Sequence, residues 1–121
     1  MARILIVDDA KFMRMTLTAI LQNGNHEVVG EAENGEEAVA KFHQLKPDLI
    51  TMDITMPEKS GIEALTEIKA HSADARIVMC SAMGQQKMIV EAIERGAKDF
   101  IVKPFDENRV LDAVERVLNQ P

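Results

Sequence analysis

Five side chains in this sequence are of types that do chemistry when they share a site: the adjacent acids Asp8 and Asp9, the acid Asp53, the hydroxyl of Ser81 and the amine of Lys103. Each follows a short strand-like run, at residues 4–7, 49–52, 77–80 and 99–102. Three carboxylates in one site repel, and at an effective dielectric of about 20 a pair about 4 Å apart costs about 4 kcal/mol. Lys103 offsets part of that, and a divalent cation offsets the remainder. Mg²⁺ suits such a set, because it takes one or two carboxylates and keeps waters whose places a phosphate oxygen can occupy. The chemistry implied is phosphoryl transfer, in which a protein positions an in-line nucleophile and neutralises the equatorial oxygens. Asp53 is the natural nucleophile, since a carboxylate can carry the group as an aspartyl phosphate. Taken singly, Asp and Ser are ordinary turn residues and Lys an ordinary solvated charge. Their joint placement carries the reading.

The elements that must position these groups alternate along the chain. Strands are expected at residues 4–7, 28–31, 49–52, 77–80 and 99–102, most of them nearly continuous apolar runs, as parallel strands covered on both faces are. Stretches of helical period lie between them. The second has Ala38, Val39, Phe42 and Leu45 on one face, Asn34 as its N-cap and Pro47 as its stop. The third carries Ile62, Leu65 and Ile68. The fourth places Ile89, Ala92 and Ile93 together and meets Gly96, the residue type that most easily turns left-handed past a helix end. The fifth opens with Asp106 and Glu107, favourable at a helix N-terminus, and shows Val110, Leu111, Val114, Val117 and Leu118 as a stripe. This alternation predicts an α/β fold with a parallel sheet and helices on both faces. In such sheets ligands bind at the carboxyl ends of the strands, where all five groups stand. Asp8 and Asp9 reach one site only if the strand stops before them, because successive strand residues face opposite sides.

With 121 residues the chain suits one domain, and residues 1–121 are read as one, the last helix ending about where the sequence does. No Trp or Tyr and eight Met leave an aliphatic core. The net charge of −6 argues against binding a phosphate backbone, which needs a clustered basic face. Nucleic acid is excluded as a direct partner. The only cysteine, Cys80, forms no internal disulfide and reads as a small buried side chain in a reducing compartment. The N-terminus lacks a signal-peptide h-region, and no apolar run approaches a membrane span, so a cytoplasmic protein is expected. His26, His43 and His71 show no metal-ligand spacing and read as surface histidines. Met52 and Met79 read as core; Met83 and Met88 flank the fourth helix as a candidate adaptable face, with core the default reading for any single methionine. Phe105 reads as a hydrophobic staple for the last helix.

Three blocks in this order and spacing carry a resemblance: Ile4-Leu5-Ile6-Val7-Asp8-Asp9; Asp48-Leu49-Ile50-Thr51-Met52-Asp53-Ile54-Thr55-Met56-Pro57 followed by Gly61; and Lys103-Pro104-Phe105. They resemble the signature blocks of response-regulator receiver domains, across essentially the whole chain. The resemblance implies a flavodoxin-like five-stranded sheet in the order 2-1-3-4-5, the order documented for the chemotaxis members of this family. It implies Asp53 as phosphoacceptor and Mg²⁺ bound by Asp9, Asp53 and the backbone carbonyl of Thr55, with Asp8 acting through metal-bound water. Ser81 and Lys103 are implied to bind the phosphoryl group, Phe100 to be a switch residue with Ser81, and the Lys103-Pro104 peptide to be cis.

Within the family, Asp9-Ala10-Lys11-Phe12-Met13-Arg14, Cys80-Ser81-Ala82-Met83-Gly84-Gln85-Gln86 and Gly96-Ala97-Lys98-Asp99-Phe100 are most similar to the CheY-type chemotaxis group, especially outside the enteric bacteria. Ile54 stands where enteric members carry Trp, and Phe100 where they carry a Tyr, so any hydroxyl-mediated part of that switch is unavailable. Thr55 and Met83 occupy positions that influence phosphoryl lifetime. The partners implied are a CheA-like histidine kinase, which supplies the phosphodonor histidine, a FliM-like flagellar motor switch protein, and a phosphatase, the chain itself being a monomer that catalyses its own phosphorylation and dephosphorylation. Two outputs stay open: motor signalling, and a phosphorelay intermediate or phosphate sink. A small flavin protein fits the fold but not the acidic site, which would repel the cofactor's phosphate.

Overall fold

The computed structural model describes residues 2–120. The elements run β1 (Arg3–Val7), α1 (Lys11–Asn23), β2 (Glu27–Ala32), α2 (Gly35–Leu45), β3 (Leu49–Asp53), α3 (Gly61–His71), β4 (Ile77–Ser81), α4 (Gln86–Glu94), β5 (Asp99–Val102) and α5 (Glu107–Leu118). All four strand pairings are parallel, as the alternation implies, and the sheet order is β2-β1-β3-β4-β5, the order the family resemblance implies. Asp53 and Ser81 turn out to be the last residues of their strands rather than the first beyond them.

Local chemistry sets the helix ends. The Asn34 side chain accepts a hydrogen bond from the Glu37 amide, and the Lys46 cap ahead of Pro47 takes the left-handed conformation. Ser60 and Glu63 form a reciprocal capping box at the start of α3. Asp106 accepts from the Arg109 amide, and Gly96 just past α4 has φ of 113°, a region glycine enters freely. Phe105 packs against the same cluster as Val110, as a staple does.

The central strands β1, β3 and β4 separate two apolar layers. One holds Leu5, Val7, Phe42, Ile50, Met52, Leu65, Ile68 and Met79 under α2, α3 and α4. The other holds Ile4, Ile6, Leu17, Leu21, Cys80, Val114 and Val117 under α1 and α5. Burying each large aliphatic side chain stabilises the fold by about 1.5–3 kcal/mol relative to leaving it exposed.

Three expectations need correction. The edge strands are not covered on both faces: β5 buries only Ile101, and Phe100 and Val102, two residues apart on its other face, are each 37% exposed. The cause is α4, which buries only Ala92 and packs Ile89 partly against the core, so that Ile93 faces solvent instead of packing beside them. His26 is buried, not superficial: its Nδ1 accepts from the Ala2 amide and its Nε2 lies 2.8 Å from Glu115. His43 and His71 are exposed as expected, with ring centroids 5.4 Å apart.

Candidate functional site

β1 stops at Val7, so Asp8 and Asp9 leave the strand together at its carboxyl end. Asp8 is fully buried. Its Oδ1 accepts from the Ala10 amide at 2.9 Å, and its Oδ2 lies 2.9 Å from the Lys103 ammonium. Its backbone carbonyl accepts from the buried Arg14 guanidinium, which also pairs with Glu31 at 2.8 Å. Asp53, 6% exposed at the end of β3, presents Oδ1 3.3 Å from the same ammonium. Asp9 stands exposed at the mouth.

Lys103 follows β5 directly, its amide donating to the Ser81 carbonyl at 2.8 Å, and the Lys103–Pro104 peptide is cis. Ser81 ends β4 with a buried hydroxyl that has no partner. Gly61 is required where α3 begins: a Cβ there would lie 1.9 Å from the Asp53 carbonyl oxygen. Thr55 lies in the loop after β3, exposed, its hydroxyl accepting from Gln85. Phe100 stands apart from the acids, on the open face of β5.

Burial, and then the charge of Asp8, push the Asp53 carboxyl up to about 6, against the opposing pull of Lys103. Partial burial lowers Lys103, but its bond to Asp8 and the charges of Asp53 and Asp8 outweigh that and hold it above the usual range. The Cys80 thiol is pushed up by burial and stays protonated.

One carboxylate oxygen from each of Asp8, Asp9 and Asp53 lies within 4.8 Å of the others, the one such group of three candidate ligands among the described residues. The set is all oxygen, and the buried Asp8 Oδ2 meets only the Lys103 ammonium. These residues fit a hard divalent cation such as Mg²⁺. Together with the unpartnered Ser81 hydroxyl, they make a place where an anionic group would meet a metal, an ammonium and a hydroxyl donor.

Reading the sequence brought out the five reactive groups but not their supports. Arg14 had a signal, since it shares a helical face with Leu17 and Leu21 and a charge in that position must find a buried partner. Gln85 and Gly61 had none outside the family blocks.

A parallel sheet of this order with an acid cluster and a lysine at its carboxyl edge fits a receiver of phosphoryl groups, and the chain belongs to the response-regulator family: the model described as "Response regulator receiver domain" matches residues 4–115. The chain is 63% identical over 117 residues to the chemotaxis protein CheY of Bacillus subtilis, covering 97% of this chain and 98% of that one. It is 59% identical over 115 residues to CheY of Thermotoga maritima, covering 95% and 96%. Among solved structures it is similar to the Borrelia burgdorferi CheX–CheY–BeF3–Mg complex, with a TM-score of 0.91, 39% identity and coverage of 98% of this chain and 90% of that one. No helix among the described residues is long and apolar enough to cross a membrane.

Proposed function

We propose that this chain is a chemotaxis response regulator of the CheY type, phosphorylated on Asp53 by a histidine kinase and signalling to the flagellar motor switch. The observation that carries it is the convergence of Asp8, Asp9 and Asp53 around Lys103 at the carboxyl edge of the sheet. Asp53 attacks the phosphorus of a phosphohistidine on a CheA-like kinase. A P–O bond forms as the P–N bond breaks, and the imidazole leaves with the electron pair and takes up a proton. Lys103 pairs with the transferred group and Ser81 donates to it, a charge-assisted bond stronger than one between neutral groups. Asp8, Asp9, Asp53 and the Thr55 carbonyl would hold Mg²⁺, which when bound neutralises phosphoryl charge. Residues 1–121 act here as one receiver domain, a reading supported by the near end-to-end match to chemotaxis proteins. The phosphorylated form then binds a FliM-like switch protein.

The test is to mix the chain with a phosphorylated CheA-like kinase and follow both phosphotransfer and binding to the N-terminal peptide of a FliM-like protein. Transfer to Asp53 with tighter peptide binding is expected. Transfer that leaves peptide binding unchanged would favour a relay or phosphate sink over motor signalling.

A further inference from the structure

Ser81 ends β4 with an unpartnered buried hydroxyl, and the amide that follows it is held by a side chain. Gln85 Oε1 accepts from the Ala82 amide at 2.7 Å. The other end of the same carboxamide donates from Nε2 to the Thr55 hydroxyl at 3.0 Å, with Met88 Sδ 3.8 Å away. One partly buried side chain thus ties the loop after β4 to the loop after β3. A carboxamide can do this because it carries an acceptor and a donor at fixed spacing.

The bond to Ala82 matters because of what else would want that amide. A phosphoryl group on Asp53 brings three strong acceptor oxygens to a place where the Ser81 hydroxyl is free but the next donor along the chain is engaged. We propose that Gln85 is a positioning residue for the phosphoryl chemistry, a clasp whose carboxamide occupies the Ala82 amide and anchors Thr55 in the phosphate-free arrangement. The proposal rests on the reading of Asp53 as phosphoacceptor. Phosphorylation then competes with Gln85: as the new oxygens draw Ser81 and Ala82 toward Asp53, the carboxamide loses its hold on the amide and the two loops uncouple. The clasp biases the resting protein by as much as its two hydrogen bonds favour one arrangement over the other, and by no more.

The test measures the affinity of the full chain for beryllofluoride, a phosphoryl mimic, at saturating Mg²⁺, in wild type, Gln85→Met, Thr55→Val and the double variant. Gln85→Met keeps the length of the side chain and removes both bonds. It is expected to bind beryllofluoride about three- to tenfold more tightly, as loss of one or two net hydrogen bonds from the resting state implies. Its Mg²⁺ affinity is expected to stay within about twofold of wild type, whereas general loosening of the loops would weaken both ligands. Thr55→Val is expected to tighten binding less, and the double variant to match Gln85→Met rather than add to it. Faster exchange of the Ala82 amide in Gln85→Met supports the clasp independently. An unchanged or weaker beryllofluoride affinity in a folded Gln85→Met, or full additivity in the double variant, overturns the proposal. If Gln85→Met does not fold, Thr55→Val decides, and unchanged affinity there overturns it. A wild type that binds Mg²⁺ but no beryllofluoride overturns the phosphoacceptor reading itself, and the clasp with it.

Discussion

At Asp53 burial and chemistry oppose each other. A carboxyl raised to about 6 is still about nine-tenths ionised at pH 7, so the form that the proposed attack needs predominates while the fold carries an under-compensated charge. The folded-state value lies above the unfolded one, so the native state binds the proton more tightly between about pH 4 and 6. Stability of the metal-free chain therefore contains a contribution from Asp53 that rises as pH falls through that window. Asp53→Asn is expected to stabilise the metal-free protein at pH 7 by about 1–2 kcal/mol, allowing for solvent screening at the open mouth, with the difference fading near pH 4. Urea unfolding in chelator at both pH values checks this, and a less stable Asn variant at pH 7 would contradict it. The same residues show what a sequence exposes and what it hides. Asp8, Asp9, Asp53, Ser81 and Lys103 could be found because each sits at a strand end, a position readable from its own neighbours. His26 could not, since its partners Ala2 and Glu115 lie 24 and 89 residues away and nothing local marks them.

Among the elements, the helix starts do more than begin helices. Gly61 lets α3 start against the Asp53 carbonyl, with its own amide donating to Ile54 at 2.8 Å. Gly61→Ala must displace backbone, so a loss of about 2–4 kcal/mol and weaker Mg²⁺ binding are expected, read by urea unfolding and metal titration. Ser60→Ala, one residue earlier, removes only the cap: about 1 kcal/mol of stability with Mg²⁺ affinity unchanged. Equal effects of the two on Mg²⁺ would deny Gly61 its special place. The cap at Asn34, the acidic start of α5 and the turn at Gly96 were legible because they depend on residues within one turn; that Asp106 caps α5 is shown by its bond from the Arg109 amide. The openness of β5 and the exposure of Ile93 were not, because an apolar stripe does not say how closely its helix will dock. The α4 periodicity was real, but the helix rides high on the sheet with only Ala92 fully inside.

For the molecule as a whole, that loose docking places an adaptable surface next to the reactive edge. Met83, Gln85, Ile89, Val90, Phe100 and Val102 line an open cavity of about 510 Å³ that reaches Ser81. Met83 is 81% exposed and Met88 43%, so neither joins the core that is the default place for a single methionine. On the proposed function, a phosphoryl oxygen that engaged the Ser81 hydroxyl would draw the loop after β4 inward and leave space for the half-exposed Phe100 to fill, changing the surface of α4, β5 and α5. One hydrogen bond to a charged group contributes about 1.5–3 kcal/mol, a bias of about ten- to a hundredfold between the two arrangements. Ser81→Ala is accordingly expected to retain beryllofluoride binding but lose most of the mimic-induced gain in affinity for a FliM-like peptide, measured by fluorescence titration. An undiminished gain would break the proposed link between site and surface.

All of this depends on Asp53 taking the phosphoryl group at a magnesium-dependent site. Intact-mass measurement after incubation with acetyl phosphate tests that most directly, comparing wild type and Asp53→Asn with Mg²⁺ and with chelator. One added phosphoryl mass is expected for wild type with Mg²⁺ and none under the other three conditions. Equal labelling of Asp53→Asn, or undiminished labelling of wild type in chelator, would contradict the account.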